Sequence, residues 1–255
     1  MTAGGDALFS LQGKSILVTG GTRGIGLAIS LRFARSGAAV VANYLRDEKS
    51  AQQLAATAVA EGLSITLCRA DLTHDKGLEH LVASLPEGSL SGFVHCAATG
   101  IHRPIEELTE RHFDWTLNLN VRAFFKLTKL LLPRLSNGSS IVAVSSWGAM
   151  RAIPFYSLVG TSKGGLEALA RHFAAELAPR GIRVNTLTAG AVLTDAWKAM
   201  PNSEARIAEA IRRTPAGRLV TVEEVASAAQ FLCSDAAMGV IGHTLIVDGG
   251  MGIMA

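Results

Sequence analysis

The short run Ser15-Ile16-Leu17-Val18-Thr19 leads straight into a glycine-rich turn, Gly20-Gly21-Thr22-Arg23-Gly24-Ile25-Gly26. A brief apolar stretch rich in branched side chains suits a strand buried on both faces. Leu27, Leu31 and Ala34 then recur at helical spacing and Gly37 offers a C-terminal cap, which predicts a helix over 26–36. The alternation repeats, with strands expected at 39–42, 64–68 and 92–96 and helices near 49–61 and 76–85. Further helical stretches are expected at 107–135 and 159–178, with strands at 140–144, 183–188 and 244–247. Strands alternating with helices imply crossover connections, hence an α/β, Rossmann-like, doubly wound parallel sheet. No linker or repeat interrupts the pattern, so 1–255 reads as a single domain.

Composition removes several other classes. At 49% hydrophobic and 18% charged, the 255-residue chain is too apolar for disorder. A net charge of +3 does not imply a nucleic-acid surface. No run approaches the roughly 18 consecutive apolar residues of a membrane span, and the N-terminus lacks a signal-like stretch, so a cytoplasmic protein is expected. Cys68, Cys96 and Cys233 are widely spaced and odd in number. They suggest buried apolar residues, with neither a disulfide framework nor a thiolate metal site.

Ligands bind a doubly wound sheet outside the carboxyl ends of its strands, where these motifs fall. The glycines of the first turn allow a pyrophosphate to approach the backbone at a helix N-terminus, the alternative being a tight turn without a ligand. Their spacing, Gly-x3-Gly-x-Gly at Gly20, Gly24 and Gly26, resembles the short-chain dehydrogenase/reductase superfamily. Thr22, Arg23 and Ile25 complete that cofactor loop. After the second strand stands Asn43-Tyr44-Leu45-Arg46 in place of the acidic residue an NAD enzyme uses for its ribose. Arg23, joined by Arg46 or acting alone, favours the 2′-phosphate of NADP(H). The resemblance further implies cofactor contacts from Asn43, from Asp71 and Leu72 beside the adenine, and from Cys96, Ala97, Ala98, Gly190, Val192 and Thr194. His95-Cys96-Ala97-Ala98 replaces the superfamily's Asn-Asn-Ala-Gly, which costs two asparagine side chains but leaves the backbone. His95 and Cys96 point to opposite faces of a strand and so make no catalytic pair.

The superfamily's catalytic set is Asn, Ser, Tyr and Lys. Asn120, Ser146 and Lys163 match it, but the tyrosine position four residues before the lysine holds Val159. The nearest tyrosine is Tyr156, one of two in the chain. It would share a face with Lys163 if the helix reaches back to it, or stand just before the helix start. The stretch from Ser145 through Trp147, Tyr156 and Lys163 to Ala168 resembles the enoyl-acyl-carrier-protein reductases with a Tyr-x6-Lys motif, in their NADPH-dependent branch. In ketone reduction the oxygen to be stabilised is one bond from the carbon that accepts hydride; in an enoyl thioester it is three bonds away, which suits a tyrosine set further from the lysine. Tyr156 would bond the thioester carbonyl as an enolate develops. Lys163 would bind the cofactor's ribose, contribute to catalysis and, as a nearby cation, favour the phenolate.

Each motif also has a plainer reading: Tyr156 as a packed aromatic, Ser146 as a turn residue, Asn120 as a structural amide. Residues 191–214 form a substrate lid by resemblance, with Trp147, Tyr156, Trp197 and Met200 lining an acyl channel or merely packing. Lys198, Arg206, Arg212 and Arg213 would suit an acidic acyl carrier protein or be solvated helix charges. Two alternatives remain: a 3-ketoacyl or other carbonyl reductase with a displaced tyrosine, and a non-catalytic NADP-binding scaffold or sensor. A homotetramer built on the helices carrying Asn120 and Lys163 is expected by resemblance.

Overall fold

In a computed structural model that describes residues 4–193 and 203–254, the strands are β1 (Ser15–Thr19), β2 (Ala39–Tyr44), β3 (Ile65–Arg69), β4 (Leu90–His95), β5 (Leu135–Ser146), β6 (Arg183–Ala189) and β7 (Thr244–Val247). They form one sheet in the order β3-β2-β1-β4-β5-β6-β7. Every neighbouring pair is parallel. The order reverses at β1 and β4, and such a reversal opens a crevice at the carboxyl ends of the strands. The helices are α1 (Gly4–Phe9), α2 (Gly24–Arg35), α3 (Glu48–Glu61), α4 (Asp75–Ala83), α5 (Glu110–Leu117), α6 (Ala123–Leu131), α7 (Ser157–Leu177), α8 (Ser203–Arg212) and α9 (Val222–Cys233).

Strand side chains alternate between two cores, as the pleat requires. Ile16, Val18, Val40 and Val94 meet Ile29 and Phe33 of α2 and Val225 and Ala229 of α9. Leu17, Val41, Phe93 and Ile141 meet Leu78 of α4, Phe124 and Leu127 of α6 and Leu166 and Ala170 of α7. Phe93 and Phe124 are fully buried and stack at 6.1 Å. Truncating either to alanine costs about 3–5 kcal/mol.

Several elements differ from the sequence expectation, helices α1 and α8 among them. The helical stretch over 107–135 is a 3-10 turn at Ile105–Glu107, then α5, a π-helical turn at Asn118–Arg122, and α6. Pro133 follows α6 closely and cannot continue it. Residues from Leu135 onward join β5, where Leu135 pairs with Leu90 and the register shifts before Gly92. Helix α9 is additional to the expected elements, although its capping box is written in the sequence as Thr221-x-x-Glu224. Cys68 and Cys233 are buried, but Cys96, past the end of β4, is only half-buried; all three thiols are free. No helix among the described residues is long and apolar enough to cross a membrane.

Candidate active site

The carboxyl ends of the inner strands lie level, with Thr19 beside His95, Ser146 beside Ala189, and Ala189 beside Val247. The glycine turn begins at that edge. Gly20 adopts φ +63°, and a Cβ there would stand 2.9 Å from the Ala97 backbone; one on Gly26 would run into the Gly20 carbonyl. The turn therefore keeps its backbone bare and close to β4. Arg23 precedes α2 in an extended conformation and gives the helix no side-chain cap. The first-turn N–H groups of α2 thus remain available for an anion, which fits a dinucleotide pyrophosphate. Thr22 is buried, and Ile25 packs against the core.

The Asn43 side chain is engaged within the protein. Its amide donates to the carbonyls of Cys68 and Ala70 at 3.3 and 3.1 Å, and its oxygen accepts from Gly20 N–H at 3.5 Å. The side chain ties the glycine turn to β3 and is itself buried. Arg23 and Arg46 are both exposed. The sequence suggested no carboxylate near the ribose position, yet Asp47 lies close enough to Arg23 to feel its charge. Asp47 oxygens are committed to Ser50, through its N–H at 3.0 Å and its hydroxyl at 2.8 Å, where they cap α3. Asp71 Oδ1 accepts from the N–H and hydroxyl of Thr73. Leu72 is buried in the core, so only its backbone can border an adenine. Cys96 and Ala97 donate their N–H groups to Thr19 Oγ1 at 3.2 Å each, and Ala98 is exposed. Gly190 lies against Asp248, and buried Val192 bridges to Val220. Thr194, Trp197, Lys198 and Met200 lie outside the described residues.

Tyr156 stands immediately before α7, with φ −114° and ψ 12°, so the helix does not reach back to it. Phe155, with φ +61°, is the one non-glycine residue of positive φ among the described residues and turns the chain into this position. The Tyr156 ring rests on Gly148, where a Cβ would stand 2.5 Å from the ring, and stacks on His102 at 5.1 Å. Its hydroxyl donates to Ser146 Oγ at 3.3 Å. Burial raises the phenol above its ordinary pKa, while the bond to Ser146 opposes this. Lys163 is not among the groups that shift the phenol. Val159 is buried beside Gly100 and fills the place of the displaced tyrosine with hydrocarbon.

Lys163 Nζ is buried and donates to the Val144 carbonyl at 2.7 Å. Burial pushes its pKa down to about 8. Asn120 lies in the π-helical turn, fully buried; its amide donates to Thr99 O and Ser162 Oγ and its oxygen accepts from Thr99 N–H, all within 2.9 Å. It braces the β4 loop against α7 and reaches no open face with its side chain. Trp147 is held by the C-terminal turn, its Nε1–H donating to Asp248 at 3.0 Å and Arg151 lying over its ring. Arg212 pairs with Glu209, so its charge is partly met within α8.

A doubly wound sheet with an uncapped glycine turn, a Ser ending β5 and a Tyr and Lys beyond it define a dinucleotide-dependent oxidoreductase. Residues 20–252 match the family model described as enoyl-(acyl carrier protein) reductase, and the chain belongs to this family of short-chain dehydrogenases/reductases. It is 35% identical to the 1-cyclohexenylcarbonyl-CoA reductase of Streptomyces collinus, over 94% of this chain and 87% of that protein. It is 32% identical to the NADH-type enoyl-[acyl-carrier-protein] reductase of Synechocystis sp., over 97% and 99%. Among solved structures it resembles a gluconate 5-dehydrogenase from Burkholderia cenocepacia in complex with NADP and tartrate, with a TM-score of 0.90, 28% identity and coverage of 98% and 99%.

Proposed function

We propose that the protein is an NADPH-dependent reductase of the C2–C3 double bond of 2-enoyl thioesters, in fatty-acid or polyketide synthesis. The observation that carries this reading is the placement of Tyr156: ahead of α7, hydrogen-bonded to Ser146, with buried Val159 at the spacing used for ketones. Two relatives of about one-third identity bear names of enoyl-thioester reductases, which supports the same reaction class.

The nicotinamide, when bound, supplies the hydride. Tyr156 and Ser146 present adjacent hydroxyls to the thioester oxygen, where negative charge develops on the enolate. The raised pKa of Tyr156 keeps its proton in place for donation to that oxygen. Lys163 is a buried ammonium at the end of β5, placed to hold the ribose hydroxyls and to favour negative charge nearby. Arg23, alone or with Arg46, answers the 2′-phosphate of NADPH. The acyl group rides on coenzyme A or an acyl carrier protein in the cytoplasm. Exposed Phe113, Trp115, Phe125 and Leu130 on α5 and α6, which flank Asn120, support assembly into a homotetramer built on the helices carrying Asn120 and Lys163.

The test is turnover of NADPH with crotonyl and acetoacetyl thioesters side by side. Oxidation with crotonyl alone supports the proposal. Oxidation with acetoacetyl alone makes the protein a carbonyl reductase, and NADPH binding without any turnover makes it a scaffold or sensor.

A further inference from the structure

Glu167 lies one helical turn beyond Lys163 on α7, and the two are equally buried, at 4% and 5% exposure. A carboxylate so deep needs partners. Its Oε1 accepts from Ser145 Oγ at 2.7 Å and from Thr188 Oγ1 at 3.2 Å, and its Oε2 faces the Arg171 guanidinium at 3.9 Å. Ser145 and Thr188 are register partners on β5 and β6. Each directly precedes a piece of the site: Ser146 on one strand, Ala189-Gly190 on the other. Lys163 grips the same stretch one residue earlier, at the Val144 carbonyl.

We infer that Glu167 is a positioning residue, a buried counter-charge that keeps Lys163 an ammonium while clamping the ends of β5 and β6 beneath it. The inference rests on the proposed function only through the role given to Lys163. At the end of β4 and just past it, His95 and Cys96 lie close enough to Lys163 to feel its charge. Burial lowers the imidazole to about 3 and pushes the Cys96 thiol up to about 11, and Glu167, itself 3.9 Å from the Arg171 guanidinium, joins Cys96 in raising the lysine against its burial. The lysine is thus lowered by burial and drawn back up by Cys96 and by Glu167, a carboxylate that two hydroxyls hold in place.

Glu167→Gln separates charge from clamp, because an amide oxygen still accepts from Ser145 and Thr188 in the same volume. Glu167→Asp keeps the charge and shortens the reach. The Lys163 titration is followed by NMR of lysine-labelled full-length protein, with the resonance assigned by its loss in Lys163→Met. Removing the negative charge is expected to lower the Lys163 midpoint by about half a pH unit or more, while Glu167→Asp stays near the parent value. NADPH affinity at pH 7.5, read by cofactor fluorescence, is expected to weaken about 1.5-fold for a half-unit shift and about threefold for a full-unit shift in Glu167→Gln, as the ammonium fraction falls. A folded Glu167→Gln with an unchanged Lys163 midpoint overturns the inference. Failure of all thioester turnover alongside a shifted midpoint refutes the assigned reaction instead and leaves the coupling of Glu167 to Lys163 standing.

Discussion

The Tyr156 hydroxyl donates to Ser146 Oγ at 3.3 Å, whereas Lys163, seven residues further along, sends its ammonium to the Val144 carbonyl. Tyrosine and lysine therefore do not form a bonded pair across the helix. The tyrosine is coupled to the end of β5 through a serine. That arrangement depends on Tyr156 standing outside α7, where the left-handed Phe155 and the bare Gly148 put it.

Gly148→Ala tests this seating. The added methyl would stand 2.5 Å from the Tyr156 ring and force it off Gly148. Overpacking of this kind costs about 1–3 kcal/mol in stability, and misplacing a donor by about an ångström costs on the order of 100-fold in rate. The expected result is a folded protein with a Tm lower by a few degrees and kcat reduced about 100-fold, measured by thermal melts and turnover. NADPH affinity should change little.

Arg23→Ala bears on cofactor choice. Arg23 is exposed at the glycine turn, and Asp47 beside it is already committed to Ser50. Removal of the guanidinium should weaken NADPH about 10-fold or more and leave NADH within a few-fold, since a charge-assisted bond to phosphate is worth about 1.5–3 kcal/mol. Equal loss for both cofactors in a titration would assign Arg23 to the pyrophosphate instead.

His95 should govern acid stability. Cys96 and Ala97 N–H groups donate to Thr19 Oγ1, so the threonine proton goes to His95 Nδ1 at 3.1 Å and Nε2 carries the ring hydrogen. Nε2 faces the backbone of Leu119 and Asn120 but makes no hydrogen bond. Burial, helped by the Lys163 charge, lowers the imidazole from 6.5 to about 3. Between these values the unfolded chain binds a proton that the folded chain refuses, so stability is full above pH 6.5 and falls as pH drops toward 3. At pH 4 this amounts to on the order of 3 kcal/mol. His95→Asn should flatten the acid limb of a Tm-against-pH curve, and an unchanged limb would place the acid sensitivity elsewhere.

Asn120→Ala should destabilise rather than merely slow the protein. It would leave the N–H and carbonyl of Thr99 without their partner and remove a bond to Ser162. Unpairing buried backbone groups costs about 1–3 kcal/mol each. A drop in denaturation midpoint of that size is expected, and a purely kinetic defect would restore a catalytic role to the side chain.

Much of this was legible from the chain. Short branched strands such as Ser15–Thr19 declare themselves because both faces are buried, and the glycine turn and Tyr156-x6-Lys163 point to one edge of the sheet. Local pattern could not show what long-range packing decides. Asn43 reads as a ligand beside the ribose, yet its amide is consumed by carbonyls of β3 that sequence does not bring near. Trp147 reads as a channel wall, and the partner that anchors its indole, Asp248, lies about a hundred residues away. The π-helical turn at Asn118–Arg122 interrupts a sequence whose apolar spacing is that of one continuous helix. Glu167 gave no signal beyond its place four residues after the lysine, because its partners Ser145 and Thr188 come from two different strands.

The central claim is that the Tyr156 hydroxyl stabilises charge on a thioester oxygen. It is tested most directly by kcat for crotonyl thioester reduction in Tyr156→Phe, with NADPH affinity measured on the same preparation. Loss of an oxyanion donor that also supplies a proton predicts a fall of about 100- to 1000-fold in kcat at unchanged NADPH affinity. Turnover within a few-fold of the parent protein would contradict the account.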